Sequence, residues 1–445
     1  MRKPKIAAAV AAIVTAIALG AAGASAQGRV QTKTYGNGAV YEGTFLDGRQ
    51  HGTGKYTQPD GYEYEGGWVE GRIEGEGRAR FANGAVYVGG FLDGQPDGRG
   101  RIEYAEGGGY EGDWRAGKPE GQGVATYADG GRYEGGFVAG AQQGEGVYTA
   151  PDGAVHSGTW QAGALSGPGR IVYADGAVYD GALKDGAPDG SGGLTRPDGS
   201  SYIGGWLAGR RHGRGVLVTA GGDRYEGDFV EGRREGTGKL AFANGDVYDG
   251  RWRADRFHGT GVHRLASGDA FEGGWVDGAL TGAGRATYKG GAVYEGAFVD
   301  GLPEGRGLRT DPDGARYEGD WVAGRREGRG VAVDADGARY EGAFAADLRS
   351  GIGRMVLPDG YVLEGTWAEG LLNGPGAALY PNGDRYEGAF VDGLPEGPGR
   401  MRFADGAEIE GEWRAGAPVE PEAAPAAEPA PDAAPTPNAA ETETE

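Results

Sequence analysis

The chain has 445 residues, enough by length for two or three ordinary domains, but 96 glycines, 22 prolines and no cysteine exclude ordinary domains and any disulfide framework. A formal charge of −21 argues against general binding to nucleic acid or to anionic lipid, because like charges repel. Stability must come from packing and hydrogen bonding alone.

The first element is a leader. Arg2, Lys3 and Lys5 make a positive start, Ile6 to Leu19 is an apolar run, and Ala24-Ser25-Ala26 is a small-x-small cleavage site before Gln27. That layout predicts a signal peptide over residues 1–26. The apolar run is too short for a comfortable membrane span. The mature protein is therefore expected in the periplasm or outside the cell.

From Tyr41 the chain can be written as sixteen repeats of 23 residues without an insertion or deletion. They begin at Tyr41, Tyr64, Tyr87, Tyr110, Tyr133, His156, Tyr179, Tyr202, Tyr225, Tyr248, Phe271, Tyr294, Tyr317, Tyr340, Leu363 and Tyr386. A truncated repeat starts at Ile409, and Tyr35 to Val40 fit the end of another. Repeat positions 3, 12, 14 and 21 are glycine in every full copy, and position 8 is glycine except at Asp255 and Asp347. The glycine is thus architecture rather than low complexity.

Each part of the repeat predicts an element. Positions 1, 3 and 5 alternate Tyr, Gly and an aromatic residue, a period of two that predicts a strand with one packed face. Positions 14, 16 and 18 repeat this more weakly, as in Gly169, Ile171 and Tyr173, and predict a second strand facing the same side. Glycine at position 8 lies in the loop between them. Aspartate, its substitute at 255 and 347, tolerates the left-handed conformation, so position 8 is expected to need φ > 0. Asp-Gly or Asn-Gly at positions 20–21, as in Asp129-Gly130 and Asn244-Gly245, signals a tight turn into the next hairpin. Rings at positions 1 and 5 are expected to lie flat over the glycines at 3 and 14. Position 5 holds all nine tryptophans: Trp68, Trp114, Trp160, Trp206, Trp252, Trp275, Trp321, Trp367 and Trp413. They recur every 46 residues up to Trp252, slip phase once at Trp275, and resume. This stripe reads as core packing, with an exposed groove for sugars or peptides as the alternative.

The repeat, exemplified by Tyr110-Glu111-Gly112-Asp113-Trp114 and Gly121-Gln122-Gly123, resembles the MORN (membrane occupation and recognition nexus) repeat. His156, Leu363 and Ile409 depart from its leading Tyr; Val88 and Ile203 depart from its Glu. The resemblance implies an all-β fold, an elongated single-layer antiparallel sheet gently twisted into a half-pipe. At ~4.8 Å per strand, sixteen hairpins would span on the order of 150 Å. It further implies scaffolding, membrane association and dimer formation through terminal repeats. Phospholipid binding belongs to the same set, and the acidic balance counts against it.

The domain reading is a signal peptide over 1–26, a repeat array over 27–416, and a Pro/Ala/Glu-rich tail over 417–445. The tail is expected to be disordered, its Pro418 and Pro421 discouraging further strand pairing. Residues that break the symmetry of the repeat are where chemistry would show. Gly-x-Gly at positions 12 and 14 recurs in every repeat with no helix after it, so it is no phosphate loop. Asp311-Pro312-Asp313-Gly314 and Asp334-Ala335-Asp336-Gly337 open like calcium loops but lack the later ligands, and read as turns. His51, His212 and His258 share position 11 in distant repeats, and His263 and His156 add no ligand set. No catalytic residue, metal or cofactor is expected, and no nucleic acid. The best asymmetric feature is basic: Arg210, Arg211 and Arg214 in one loop region, Arg233 and Arg234 in the next, Arg256 in the one after. Stacking would align them as a candidate anion or partner contact; pairing with Glu231 and Glu235 is the alternative. The reading is a non-catalytic scaffold of a bacterial cell envelope binding protein or envelope partners. A module binding glycan or peptidoglycan through exposed aromatics is the second.

Overall fold

The structure is a computed structural model that describes residues 28–420; the expected leader and the part of the tail beyond Glu420 lie outside the described residues. Two compact units meet in sequence at Ala220 and Gly221. Every element among the described residues is a strand. The N-terminal unit runs from β1 (Gln31–Thr34) through β2 (Val40–Leu46) and β3 (Arg49–Thr57) to β17 (Arg210–Val218). The C-terminal unit runs from β18 (Arg224–Val230) through β19 (Arg233–Ala241) and β34 (Glu408–Arg414) to β35 (Ala417–Pro418). Within each unit every strand pairs antiparallel with its neighbours in sequence, so each is a sheet of successive hairpins.

A repeat supplies a strand of seven residues and one of nine, such as Glu63–Val69 and Arg72–Arg80. Two different turns join them. Positions 7 and 8 both have φ > 0, as at Glu70 (49°) and Gly71 (88°), which makes a two-residue type I′ turn matched to strand twist. Asp255 and Asp347 keep φ at 69° and 73°, so the expectation for position 8 holds. Position 7, occupied by Asp, Glu or Ala, shares it without any signal in residue type. The Asx-Gly pair closes a longer loop. Gly84 N–H donates to Phe81 O and Phe81 N–H donates to Ala85 O, both at 2.8 Å, enclosing three residues. Asn83 Oδ1 accepts from Ala85 N–H at 3.1 Å, an Asx turn.

The glycine at position 12 forms a bulge. Gly75 has φ 84°, and the register jumps between Gly66 and Trp68 opposite it. The glycines at 3 and 14 pair with one another, Gly66 with Gly77 in one hairpin and Gly54 with Gly66 between hairpins. The position-1 ring covers this glycine row, because a Cβ on Gly66 or Gly77 would collide with the ring of Tyr64. Tyr64 Oη then donates to Gly67 O at 3.1 Å.

The position-5 rings behave differently from expectation. Trp68 stands edge-on to Tyr41 and Tyr64, with centroids 5.1 and 5.7 Å away, and its indole N–H donates to Gly54 O at 3.3 Å. A position-5 side chain faces the position-14 glycine where the leading Tyr is missing: Leu183 over Gly169, Phe298 over Gly284, Phe390 over Gly376. All nine tryptophans are buried, none more than 8% exposed, so the stripe is core rather than an open groove. The array also runs past its expected end. Ala417 and Pro418 pair with Arg414 and Trp413, because Pro418 occupies position 10, where Pro96, Pro119 and Pro395 also sit within strands.

Candidate functional site

Strand alternation sorts the side chains of a repeat into three surfaces. Positions 1, 5, 10 and 16 line the aromatic face, positions 2, 13 and 15 the opposite face, and positions 6 to 9 the tight-turn edge.

The turn edges are locked together by acids. At position 11, Asp97, Glu120, Glu235, Glu304, Glu327 and Glu396 each accept a hydrogen bond from the position-7 N–H of the next repeat, at 2.7 to 3.1 Å. Gln143 and Ser166 do the same. At position 22, Asp246, Asp269 and Asp384 accept from the position-19 N–H of the next repeat, at 2.7 to 2.9 Å. The resulting hydrogen bonds hold the carboxyls of Asp246 and Asp269 below the usual carboxylate range. Part of the acidic excess is therefore a device for satisfying loop N–H groups.

The six arginines singled out from the sequence fall on different surfaces. In the N-terminal unit Arg210 pairs with Leu207 and is exposed, Arg211 lies over the Tyr202 ring at 5.8 Å, and Arg214 is exposed at position 13. In the C-terminal unit Arg233 and Arg256 are exposed at the turn edge, while Arg234 faces the rings. Arg234 stacks on Trp252 at 4.3 Å and Tyr225 at 5.7 Å, and its Nε meets Asp255 Oδ1 at 3.0 Å. Arg326 makes the same clasp with Asp347 at 3.5 Å. Both aspartates that replace glycine at position 8 thus answer an arginine at position 10 of the preceding repeat. Glu235, considered above as a partner for these arginines, is engaged by Ala254 N–H.

Two further ion pairs lie on the aromatic face, and the sequence pattern does not signal their pairing. Arg309 pairs with Asp311 and Arg349 with Asp334, both at 2.9 Å; Arg309, Asp311 and Asp334 line a cavity of about 350 Å³ together with Tyr317 and Trp321. Only the charges themselves show in the sequence, at positions 16, 18 and 10. These pairs also account for the first aspartates of the two calcium-loop look-alikes; Asp313 and Asp336 accept Asx-turn hydrogen bonds at 3.0 and 3.1 Å. Among the described residues no group of three or more His, Asp or Glu side chains converges as a metal site. Nδ1 of His51, His212 and His258 and Nε2 of His263 are buried without a hydrogen-bond partner. Burial holds the His263 imidazole below its ordinary pKa.

The turn edge also carries apolar residues in the open. Position 6 holds Val276, Val299, Val322 and Val391 and position 9 holds Leu302, Leu348, Leu371 and Leu394, each about half exposed. The arrangement offers binding surfaces at regular intervals, and among the described residues no set of acid, base and nucleophile is distinguished from the repeat.

The MORN repeat family model matches sixteen successive segments, beginning with 41–61 and 64–86 and ending with 364–385 and 386–408. No curated protein matches the chain in sequence. Among solved structures, a point variant of the TCP10 domain of Danio rerio CPAP is 13% identical, with 55% of this chain and 99% of that one covered and a TM-score of 0.18. Virginiamycin B lyase from Staphylococcus aureus is 13% identical, with 68% and 89% covered and a TM-score of 0.12. Likenesses at such scores carry no argument about this chain.

Proposed function

The chain belongs to the MORN repeat family, and from that premise we propose that it is a non-catalytic scaffold of a bacterial cell envelope, holding protein or other envelope partners on its turn edges. A repeat scaffold or binding protein is what MORN repeats indicate. The observation that carries the reading is the stitched turn edge: where position 11 is acidic, as at Glu120, Glu235 and Glu304, it ties one loop to the next, and Val, Leu and Arg at positions 6 and 9 stand exposed on that edge. Rigid, evenly spaced contacts suit multivalent capture, which raises avidity without new contacts. Export rests on the leader sequence, with cleavage near Ala26 and Gln27. Association of two copies through terminal repeats belongs to the proposal; phospholipid binding is disfavoured by the charge of −21.

The test is affinity capture from envelope fractions with the native chain and with a variant carrying Arg210→Ser, Arg233→Ser and Arg256→Ser. These exposed positions are chosen because Arg211 and Arg234 hold the aromatic face together. A partner kept by the native chain and lost by the variant supports the scaffold and places its contact on the turn edge. Capture of nothing by the native chain sinks the reading.

A further inference from the structure

One combination of side chains on the aromatic face occurs in two places, both in the N-terminal unit. Gln stands at position 10 only as Gln50 and Gln142, and Tyr stands at position 16 only as Tyr56 and Tyr148. Each pair is joined by a Tyr at position 18 of the preceding repeat, Tyr35 and Tyr127. The two sets are built alike. Gln50 Nε2 donates to Tyr35 Oη at 2.7 Å, and Gln142 Nε2 donates to Tyr127 Oη at 2.6 Å. Tyr35 and Tyr56 meet at 6.3 Å and 71°, Tyr127 and Tyr148 at 6.0 Å and 68°. Behind each stands an indole: Trp68 lies 5.9 Å from Tyr56, and Trp160 lies 6.4 Å from Tyr148.

Unlike the position-1 and position-5 rings, these tyrosines are not sealed in the core. Tyr35, Tyr56 and Tyr148 are half-buried, and Tyr127 is 38% exposed. The first set opens on a cavity of about 620 Å³, also lined by Asn37, Arg72, Ile73 and Asp93. That is within the usual size range of small-ligand pockets. Lys33 lies over the Tyr35 ring at 5.2 Å in this set.

We propose that the two sets are equivalent subsites for a neutral oligosaccharide chain. A pyranose ring offers an apolar C–H face and a rim of hydroxyls. The tyrosine corner offers ring faces, and the glutamine beside it keeps a carbonyl acceptor and a second N–H donor after binding Tyr Oη. Each tyrosine hydroxyl that accepts from glutamine still has its own O–H to donate. The acidic chain disfavours an anionic glycan. Four repeats separate the sets, roughly 40 Å at ~4.8 Å per strand, so a polymer of identical sugars could engage both. This site stands apart from the turn-edge scaffold reading, and either can fail while the other holds.

The experiment titrates the full chain with cellohexaose, N-acetylchitohexaose and maltohexaose, reading tryptophan fluorescence and calorimetric stoichiometry. At least one hexaose should bind at two sites per chain. Gln50→Ala or Gln142→Ala should halve the stoichiometry, and the double variant should lose at least tenfold in affinity with its thermal unfolding unchanged. Tyr127→Phe, which deletes the hydroxyl that holds Gln142, gives a second route to the same halving. Tyr104→Ala, at position 18 without a partnering glutamine, should bind as the native chain does. No binding of any hexaose by the native chain, or native affinity in the double variant, overturns the proposal. Binding of decaproline with loss in the double variant overturns it as well, since the sets would then read a peptide.

Discussion

Gly77 has the ring of Tyr64 against the place its side chain would occupy, whereas nothing lies within 4 Å of that place at Gly290. Neither glycine has φ > 0, so a substitution at either tests space alone. Gly77→Ala should cost about 1–3 kcal/mol, the usual cost of forcing extra carbon into a packed site. Gly290→Ala should stay within about 0.5 kcal/mol of the native chain, as surface changes do. Urea unfolding of the two variants side by side decides it; equal stability would remove the ring-over-glycine account. The same rings resist ionisation. Burial, above all, pushes Tyr41, Tyr110 and Tyr248 up to about 12. An acid raised in the fold loses its proton more readily when unfolded, so its contribution is intact below pH ~10 and falls as pH rises from there towards 12. Absorbance at 295 nm should show these tyrosines ionising together with loss of β-structure in alkali rather than before it.

At the scale of the hairpin, the turn depends on acceptors from its neighbour. Glu235 accepts from Ala254 N–H at 2.9 Å, while Gln143 fills the same role for Ala162 at 3.0 Å. Glu235→Ala should therefore destabilise by about 0.5–1.5 kcal/mol, the net worth of an ordinary hydrogen bond, and Glu235→Gln should be close to neutral. The position-22 acids add a pH dependence. Hydrogen bonds from Ala266 and Lys289 N–H lower the carboxyls of Asp246 and Asp269. Carboxyls lowered in the fold contribute fully above their unfolded pKa near ~3.9 and lose that contribution as pH falls through the lower folded value. His263, lowered mainly by burial, works in the same direction at higher pH. It favours the fold most above ~6.5 and less as acid charges it more readily in the unfolded chain. Thermal unfolding between pH 2 and 8 should show stability rising through both windows. The His263→Phe variant should flatten the upper window, while Asp246→Asn/Asp269→Asn should flatten the lower one and widen the upper, because the Asp246 charge partly offsets the lowering of His263.

At the scale of each unit, strands contact their sequence neighbours and the same hairpin recurs, so stability is a sum of repeats and their interfaces. Deleting residues 87–109, one whole repeat, preserves strand direction and side-chain facing on both sides of the cut. The shortened chain should keep the native β-spectrum and unfold a few degrees lower at most. Deleting only the strand Gln95–Glu103 leaves every later strand running the wrong way for its hairpin partner and should abolish the cooperative transition. Circular dichroism of the two deletions separates them, and equal loss of structure in both would contradict nearest-neighbour assembly.

The 23-residue period, the strand alternation at Tyr64, Gly66 and Trp68, and the need for φ > 0 at position 8 were all legible in the sequence, because they follow from local backbone geometry and recur in register. The hairpin order followed as well, since short turns leave adjacent strands no other partner. The site was less legible. Arg210 and Arg211 are neighbours in sequence, yet one is exposed beside Leu207 and the other lies over Tyr202, because successive residues of a strand face opposite ways. Asp255 looked like a substitute for glycine until Arg234, twenty-one residues earlier, proved to hold its carboxylate. N–H groups of the following repeat claim Glu120 and Asp246 from 19 and 20 residues away, which no local pattern in the sequence signals. Local patterns determined the elements and their succession. Only the stacked structure decided which polar groups the neighbouring repeat uses up, and so which rings, amides and arginines remain for a ligand.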